Sequence, residues 1–356
     1  MVGSAFHSFY KGKRILVTGH TGFKGSWLCH WLLEMGATVT GYALPPEQTP
    51  DSLYQLTALP QKIKSHHADI RDFDKLSSVI TQSRPEIIFH MAAQALVLPS
   101  YEDPLGTFAT NIMGTANLLE AARKEGGVRA IVNVTTDKCY ENNESGVPFR
   151  EEDPLGGYDP YSSSKAAAEI VSAAYRRSFL KDAGIQMASV RAGNVIGGGD
   201  FSRHRLIPDI IRAAKDNKPV NLRHPQSVRP WQHVLDVLHG YLLVGQKLCD
   251  GGEKYAQAYN FGPDTADVTV GEIADILLKH MQYKPAVTRK PEKNVHEACL
   301  LNLDNSKAKS MLGWHPVCSA QEAVQRTAQW YDAYLEDSAQ AAEITDKQLQ
   351  AYVTAG

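Results

Sequence analysis

The first half of the chain alternates short apolar runs with longer segments in which apolar residues recur at helical spacing. The run from Arg14 to Thr18 is typical of a buried strand, and Ser26 to Met35 repeats apolar residues every three or four positions. The same patterns predict strands at 37–43, 64–69, 86–90, 129–135 and 186–191, and helices at 74–83, 104–124 and 161–181. This alternation predicts an α/β fold with a doubly wound parallel sheet, whose ligands bind beyond the carboxyl ends of the strands.

After about residue 192 the pattern becomes irregular. Helices are predicted at 206–216, 270–281 and 320–336, and residues 258–262 again form a strand pattern. We therefore predict a dinucleotide-binding domain over residues 1–191, which the strand near 258–262 rejoins, and a smaller interleaved substrate lobe over 192–336. Residues 337–356 are polar and rich in alanine, and their pattern leaves a helix or a frayed tail open.

Composition excludes several classes of protein. The chain has 356 residues, of which 43% are hydrophobic, so it can bury a large core. Its net charge of -2 provides no broad basic field for nucleic acid. The 5 cysteines are scattered without a C-x-x-C pair, which favours reduced thiols and no metal site. The opening MVGSAFHSFYKGKR lacks the apolar core of a signal peptide and no long apolar run follows, so we expect a cytoplasmic location and no membrane partner.

A glycine-rich turn, TGHTGFKG, follows the first predicted strand and leads into a helix. Gly19, Gly22 and Gly25 let the backbone turn tightly and approach a pyrophosphate, which the amides at the helix N-terminus can bind. The second strand ends without an acid for the ribose hydroxyls and without a base for a 2'-phosphate. These features favour NAD over NADP.

Two residues of this turn are unusual for a dinucleotide site. His20 and Lys24 stand where small or apolar residues normally allow close packing, so we predict that NAD is held less tightly than usual. Replacing His20 by Gly and Lys24 by Ile should strengthen NAD binding. The alternative is that both side chains point to solvent.

Tyr161 and Lys165 have the spacing Y-x-x-x-K, one turn apart on a predicted helix, which places both side chains on one face. A neighbouring cation favours the ionised form of a phenol, so Tyr161 could become a base near neutrality. Alone, this spacing is common on helix surfaces. Together with the glycine turn and with Thr136 at the end of a predicted strand, it indicates catalysis.

These motifs resemble the extended short-chain dehydrogenase/reductase family over about residues 11–335. The resemblance rests on the glycine turn, Asp69–Asp72, His90–Ala93, Asn111, Thr136, Tyr161-x-x-x-Lys165 and Arg229-Pro-Trp-x-x-Val234-x-Asp236. It implies the Rossmann form of the predicted sheet, a nucleotide-sugar substrate and NAD as cofactor. The implied cofactor-binding residues are Gly19, Thr21, Gly22, Phe23, Lys24, Gly25, Asp69, Ile70, Ala92, Ala93, Gln94, Thr110, Thr135, Tyr161 and Lys165.

The residues after Thr136 separate the reactions of this family. The 4,6-dehydratases that act on sugar nucleotides carry Asp-Glu there, whereas this chain has Asp137-Lys138. With Arg229–His233 and Asn294–Ala298, this pair resembles the dehydratase branch that acts on CDP-glucose. The resemblance implies oxidation at C4, loss of water across C5 and C6, and return of hydride to C6. The implied catalytic residues are Thr136, Asp137, Lys138, Tyr161 and Lys165.

Two other functions compete with this interpretation. A nucleotide-sugar 4-epimerase would need little acid–base equipment beside Thr136, so Asp137 and Lys138 argue against it. An NAD-binding regulatory protein without turnover would not need Thr136, Tyr161 and Lys165.

The roles of Asp137 and Lys138 differ in how far the sequence defines them. Asp137 is expected to protonate the leaving C6 hydroxyl, provided that an apolar environment keeps it neutral. Lys138 could remove the C5 proton if burial or the nicotinamide charge lowered its pKa. It could instead stabilise the enolate while Tyr161 or a water removes the proton, or it could be structural.

The resemblance also implies where the substrate's nucleotide binds. The implied residues are Asn194, Arg205, Leu206, Asn221, Arg229, Asn260 and His296. Arginine suits this role because its planar fork engages phosphate oxygens in pairs. The identity of the base rests on the resemblance alone. Helices 104–124 and 161–181 would pair with their copies in a homodimer or a dimer of dimers.

Overall fold

A sheet of seven parallel strands forms the centre of the protein. The computed structural model describes residues 4–46, 51–264, 268–290 and 300–355. The sheet strands are β1 (Arg14–Thr18), β2 (Thr38–Ala43), β3 (Lys64–His67), β4 (Ile87–His90), β5 (Ala130–Val134), β6 (Gln186–Ala192) and β10 (Ala258–Phe261), in the order β10-β6-β5-β4-β1-β2-β3. Four short strands form two further pairs: β7 (Val195–Ile196) with β9 (Gln232–His233), and β8 (Val220–Asn221) with β11 (Val287–Thr288). The predicted doubly wound sheet is confirmed.

Helices cover both faces of this sheet. They are α1 (Ser4–Tyr10), α2 (Phe23–Glu34), α3 (Leu53–Leu56), α4 (Leu59–Lys62), α5 (Phe73–Ser83), α6 (Val97–Glu102), α7 (Pro104–Phe108), α8 (Gly114–Glu125), α9 (Pro160–Tyr175), α10 (Leu206–Lys215), α11 (Val234–Gly251), α12 (Val270–His280), α13 (Ala320–Glu336) and α14 (Ala341–Ala355). None of these described helices has both the length and the apolar character needed to cross a membrane.

Alternating side chains of β1 show why the sheet is buried on both faces. Ile15 and Val17 enter the larger core, which α2, α11, α13 and α14 share, whereas Leu16 enters the smaller core with α5 and α8. A parallel strand covered by helices on both sides has no solvent face, so its residues form a continuous apolar run.

The strand order reverses beside β1. Strands β1, β2 and β3 follow one another in one direction, while β4 lies on the other side of β1, with Thr18 opposite His90. The loops that leave β1 and β4 therefore separate and open a crevice at the carboxyl ends, where doubly wound sheets bind their ligands.

Capping residues define where α12 and α13 begin. Thr269 with Glu272, and Ser319 with Glu322, form reciprocal capping boxes in which each side chain accepts a hydrogen bond from the other's backbone amide. Such boxes satisfy amides that lack partners within the helix. The predicted span 320–336 therefore coincides with α13.

Two long predicted helices are interrupted by π-helical turns. Residues 104–124 form α7, a π turn at Ala109–Met113 and α8, and α9 runs into a second π turn at Arg176–Leu180. A π turn contains one more residue than an α-helical turn. The hydrophobic periodicity of a long segment does not reveal such an insertion, so each segment was predicted as one continuous helix.

The last segment forms a packed helix and not a frayed tail. In α14, Leu349 and Tyr352 are buried three residues apart, and Trp330 of α13 donates a hydrogen bond to Thr345 at 2.9 Å. Asp236 accepts hydrogen bonds from the amides of Val317 (2.8 Å) and Cys318 (3.2 Å) and from the Tyr352 hydroxyl (2.8 Å).

The two predicted parts of the chain are interleaved. Strand β10 and helix α11 both lie beyond residue 192. Nevertheless, β10 completes the sheet next to β6, and α11 packs against β5 and β6. The division into a cofactor domain and a substrate lobe remains a prediction.

Candidate active site

A cavity of about 630 Å³ lies at the carboxyl ends of β1, β4, β5 and β6. It brings together most of the residues singled out from the sequence. Those that line it are Gly19, Thr21, Gly22, Phe23, Lys24, Gly25, Asp69, Ile70, Ala92, Ala93, Thr110, Thr135, Thr136, Asp137, Lys138, Tyr161, Lys165, Asn194, Arg205, Leu206, Asn221 and Arg229.

The glycine turn is packed so tightly that side chains would not fit. Gly19 has a φ of 75°, and a Cβ there would lie 2.8 Å from the backbone nitrogen of Ala92. A Cβ on Gly25 would collide with the carbonyl of Gly19. The turn therefore presents bare backbone and the first amides of α2 to the cavity, which fits a pyrophosphate.

His20 is directed away from the cavity. Its ring is fully buried, hydrogen bonds with the Ser65 hydroxyl at 2.5 Å and fills the space above Gly41, where a Cβ would collide with it. Burial lowers its pKa to about 4, so the ring is neutral at physiological pH. The expectation that His20 crowds the dinucleotide was wrong, because Gly41 provides room for the ring on the far side of the turn.

Lys24 does enter the cavity. Its ammonium lies 5.9 Å from the centre of the Tyr241 ring, and the residue lines the cavity beside Lys165 and Arg205. Burial, followed by these two cations, lowers the pKa of Lys24 to about 7. The alternative that both unusual residues point to solvent is therefore wrong.

A carboxylate that follows the third strand lies at the edge of the cavity. Asp69 follows β3, lines the cavity and binds the guanidinium of Arg71, with its Oδ2 2.6 Å from Nη2. This hydrogen-bonded pair lowers the pKa of Asp69. The sequence indicated the carboxylate but not the role of Arg71, because the interaction depends on how the chain turns after β3.

Tyr161 and Lys165 are held on the first turns of α9. The Asp159 side chain caps this helix at the Ser162 amide (2.9 Å), and Ser100 Oγ accepts a hydrogen bond from the Tyr161 amide (3.1 Å). Lys165 Nζ donates to the Val134 carbonyl at 3.1 Å. Sheet and helix thus fix the two side chains relative to each other.

The ionisation of this pair differs from the expectation. Burial raises the pKa of Tyr161 to about 12, while a hydrogen bond with Thr136 acts in the opposite direction. Burial lowers the pKa of Lys165 to about 8, opposed by the carboxylate of Glu169. The cost of burying a phenolate is the largest influence on the pKa of Tyr161 and opposes the expected lowering.

The TTDKCY segment forms a short 3-10 turn at Asp137–Cys139. Thr136 Oγ1 donates to Asp137 Oδ1 at 3.0 Å and accepts from the Lys138 amide at 3.3 Å. The Asp137 residue is only 1% exposed, and its Oδ2 has no hydrogen-bond partner within the described part of the chain. An unsatisfied carboxylate oxygen in a residue that lines the cavity is suited to a group on a ligand.

Lys138 is more open to solvent. Its side chain is 28% exposed, and Nζ lies 3.9 Å from Asp137 Oδ1.

At the other end of the cavity, Arg205 binds Asp200 at 2.9 Å, and Arg229 donates to the Val228 carbonyl at 2.9 Å. Asn221 lines the cavity, but its side chain exchanges two hydrogen bonds of 2.9 Å with the backbone of Lys290. The Asn221 side-chain amide therefore links β8 to the chain that follows β11. The sequence analysis missed Asp200, which pairs with Arg205 five residues further along the same loop.

Two predicted residues do not line the cavity, and one lies outside the described residues. Asn260 is fully buried, where it accepts from the Tyr140 hydroxyl at 2.6 Å and donates to the Phe149 carbonyl at 2.8 Å. The substrate role of Asn260 was wrong, because its side chain faces the protein interior.

The Gln94 side chain donates hydrogen bonds to the Leu96 carbonyl (2.9 Å) and to the Thr107 hydroxyl (3.0 Å), and these contacts shape its own loop. His296 lies outside the described residues.

Candidate metal ligands do not cluster among the side chains that the structure describes. No group of three or more His, Cys, Asp or Glu side chains there could hold a metal ion.

Comparison with known proteins gives consistent results. The family model described as GDP-mannose 4,6 dehydratase matches residues 16–327. The CDP-glucose 4,6-dehydratase of Salmonella typhimurium is 49% identical over 334 residues, which cover 92% of this chain and 93% of that relative. The dTDP-glucose 4,6-dehydratase of the same organism is 26% identical over 344 residues, covering 89% of this chain and 92% of that relative.

Solved structures share the whole fold. A dTDP-glucose 4,6-dehydratase double mutant from Streptomyces venezuelae with NAD bound has a TM-score of 0.77 and 27% identity, covering 93% of this chain and 99% of that one. The UDP-glucose 4-epimerase of Thermus thermophilus with NAD has a TM-score of 0.77 and 27% identity, covering 89% and 98%. The family resemblance inferred from the motifs is thereby confirmed.

Proposed function

The chain belongs to the GDP-mannose 4,6 dehydratase family, and from this premise we propose that it converts CDP-D-glucose to CDP-4-keto-6-deoxy-D-glucose with NAD as cofactor. The observation that carries the proposal is that Asp137 and Lys138 line the same cavity as Tyr161 and Lys165. Asp137 and Lys138 supply groups for the elimination of water, and Tyr161 and Lys165 supply groups for the oxidation at C4. The similarity to the Salmonella enzyme supports CDP-glucose as the particular substrate.

The described residues fit a dinucleotide. The bare backbone of the glycine turn would bind the pyrophosphate, Asp69 would lie beside the adenine, and Ala92 and Thr110 would line the cofactor. The chemistry that a bound nicotinamide supplies is the storage of one hydride, taken from C4 and given back at C6.

Tyr161 accepts the proton of the C4 hydroxyl. Its phenolate is unfavourable in the buried cavity. Lys165 on the same helix face, and the positive ring that a bound oxidised cofactor would bring, would oppose that cost. The interaction with the Thr136 hydroxyl also lowers the pKa of Tyr161 against the effect of burial, which favours this role.

Asp137 protonates the C6 hydroxyl as it leaves. A ketone at C4 acidifies the C5 proton, so loss of that proton and of the C6 hydroxyl releases water. The position of Asp137 in the cavity lining, next to Thr136, supports this role. Because Lys138 is partly exposed, we assign it to stabilising the enolate while Tyr161 or a water removes the C5 proton, and the alternative is that Lys138 is itself the C5 base. A proton returns to C5 when hydride returns to C6.

One incubation tests the reaction and the nucleotide preference together. The protein with NAD is mixed separately with CDP-, dTDP-, GDP- and UDP-glucose, and the 4-keto-6-deoxy product and net NADH are measured. We expect product from CDP-glucose without net NADH. Release of stoichiometric NADH would indicate a simple dehydrogenase, and interconversion of the C4 epimers would indicate the 4-epimerase.

The surface supports a homodimer, alone or as part of a dimer of dimers. Large apolar side chains are exposed on the two helical segments predicted to pair: Leu105 (79%) and Met113 (55%) on one, Ile170 (59%) and Phe179 (47%) on the other. Exposed apolar groups of this size favour association. A monomer by light scattering at micromolar concentration would contradict the dimer.

The location and pathway extend the same proposal. We place the enzyme in the cytoplasm, without nucleic acid as a partner, where it supplies deoxysugars such as those of O-antigen lipopolysaccharide. The described cysteines support this location: Cys29, Cys139 and Cys318 are buried as free thiols, which suits a reducing compartment.

A further inference from the structure

A buried ion pair lies behind the turn that carries Asp137 and Lys138. Glu169 of α9 accepts a hydrogen bond from Arg191 Nε of β6 at 2.8 Å, and the two side chains are 5% and 4% exposed. Neither residue lines the cavity. Burying two charges is costly, and a hydrophobic pair of similar volume can be equally stable, so stability alone does not account for the pair.

The chain is attached to this pair where it enters the turn. Thr135 Oγ1 donates to Glu169 Oε1 at 2.6 Å, and the Thr135 amide donates to the Val190 carbonyl at 2.9 Å. The residue immediately before Thr136 is therefore held by both a side-chain and a backbone contact.

The chain is attached to the same pair again where it leaves the turn. The Tyr140 hydroxyl accepts from Arg191 Nη1 at 2.8 Å and donates to Asn260 Oδ1 at 2.6 Å. The guanidinium lies 4.9 Å from the Tyr140 ring centre, and Phe149 stacks on that ring at 4.8 Å with an interplanar angle of 4°. Tyr140 is thus fixed both by its hydroxyl and by its ring.

Between these two attachments, Asp137 has little support of its own. Its Oδ1 is bonded to Thr136 within the turn, and its Oδ2 has no hydrogen-bond partner among the described residues. The positions of Asp137 and Lys138 therefore depend on where the two ends of the turn are held. Tyr161 and Lys165 belong to α9 and not to the turn: Ser100 Oγ accepts a hydrogen bond from the Tyr161 amide, and Lys165 Nζ donates to the Val134 carbonyl at the end of β5.

We propose that Glu169, Arg191 and Tyr140 are positioning residues for the elimination step, holding Asp137 and Lys138 over C5 and C6 of the sugar. This inference rests on the proposed dehydratase function. Loosening one end of the turn should slow the loss of water and leave oxidation at C4 largely intact.

The test compares Tyr140→Phe with Tyr10→Phe in the full-length protein with NAD and CDP-glucose. Both changes delete one buried hydroxyl, and Tyr10 donates its hydroxyl to the Leu242 carbonyl at 2.5 Å, outside the cavity lining. For Tyr140→Phe we expect kcat to fall about ten- to a hundredfold, with KM nearly unchanged and bound NADH accumulating during turnover. Tyr10→Phe should show normal kcat and no accumulation.

Several outcomes would overturn the inference. These are a kcat for Tyr140→Phe equal to that of Tyr10→Phe, or a slow variant in which no NADH accumulates, since oxidation would then be the impaired step. If the unaltered protein forms no 4-keto-6-deoxy product from CDP-glucose, the proposed function fails before any variant is compared.

The entry end provides a second test if Tyr140→Phe does not fold, as judged by thermal unfolding. Thr135→Val removes the hydroxyl that Glu169 accepts, whereas Thr135→Ser keeps it. The Val variant should accumulate NADH and the Ser variant should recover kcat and lose the accumulation. Equal behaviour of the two variants would contradict the proposal.

Discussion

The two ends of the cavity are built from different kinds of structure. At the cofactor end, the lining residues follow β1, β4 and β5 and begin α2 and α9, so regular elements of the main sheet carry them. At the nucleotide end, they come from loops and from two-residue strands such as β8. Position in a regular element follows from local sequence, whereas the direction of a loop side chain follows from distant contacts.

The largest effect is expected at the cofactor end. Tyr161→Phe removes the group that accepts the C4 proton, so kcat should fall about 10²- to 10⁴-fold, with NAD affinity largely retained. The initial rate of 4-keto product and a cofactor titration measure the two quantities. Tyr259→Phe, which deletes the buried hydroxyl that donates to the Tyr255 carbonyl at 3.2 Å, is the control. A Tyr161→Phe rate close to the control's would assign the proton transfer to another group.

Lys138 provides the next largest effect and separates its two candidate roles. If it stabilises the enolate as a cation, Lys138→Ala should slow exchange of the C5 proton with solvent about a hundredfold, while Lys138→Arg keeps most of the exchange. Incorporation of deuterium at C5 measures this. A base at this position would instead lose exchange in both variants, because a guanidinium does not give up its proton. Normal exchange in Lys138→Ala would exclude both roles.

A smaller effect is expected at the nucleotide end. Arg205→Met should raise KM for the nucleotide sugar about tenfold and change kcat little, because the lost charge-assisted contact is made equally before and during the reaction. Arg289→Met, which removes a partly exposed guanidinium paired with Asp275 away from the cavity, is the control. A matching rise in KM for both variants would show that net charge, and not position, matters.

The smallest expected effect concerns NAD affinity and separates the two unusual residues of the glycine turn. Lys24→Ile should tighten NAD binding up to about tenfold, because it removes a cation from the cavity that receives a positive ring. His20→Gly should leave affinity unchanged and lower thermal stability, because that ring fills a buried space. Calorimetric titration of each single variant distinguishes them.

Lys24 also predicts how NAD affinity changes with pH. Since the pKa of Lys24 is about 7, its ammonium is present below that pH and is lost above it. NAD affinity of the unaltered protein should therefore rise as pH increases through about 7, and the Lys24→Ile variant should lack this rise. An identical pH profile in the variant would remove Lys24 as the cause.

Sequence patterns were sufficient for the central sheet and for the cofactor end. Glycines after β1 and the Y-x-x-x-K spacing on α9 depend on neighbours in the chain, so their placement could be predicted. The direction of His20 could not, because it depends on Gly41 and Ser65 across the sheet. The raised pKa of Tyr161 could not be predicted either, because it results from burial, which the spacing of residues does not reveal.

The nucleotide end was predicted less well for a related reason. Asn221 and Asn260 both follow apolar residues in strand patterns, but their amides bind the backbone of other segments. Likewise, the polar composition of α14 concealed Tyr352, whose buried position depends on Asp236. A side chain whose partner is a hundred residues away has no local signature.

The position of β10 in the sheet has a consequence for synthesis of the chain on the ribosome. Until residues 258–261 emerge, β6 is an unpaired sheet edge, and Tyr140 lacks the Asn260 amide to which it donates. The turn at Asp137–Cys139 lies in the first half of the chain. Its contact with Asn260 could form only after nearly three quarters of the 356 residues have been made. A nascent chain arrested before β10 would have its glycine turn but an incompletely anchored acid and lysine, and would expose a sheet edge on which chaperones could act.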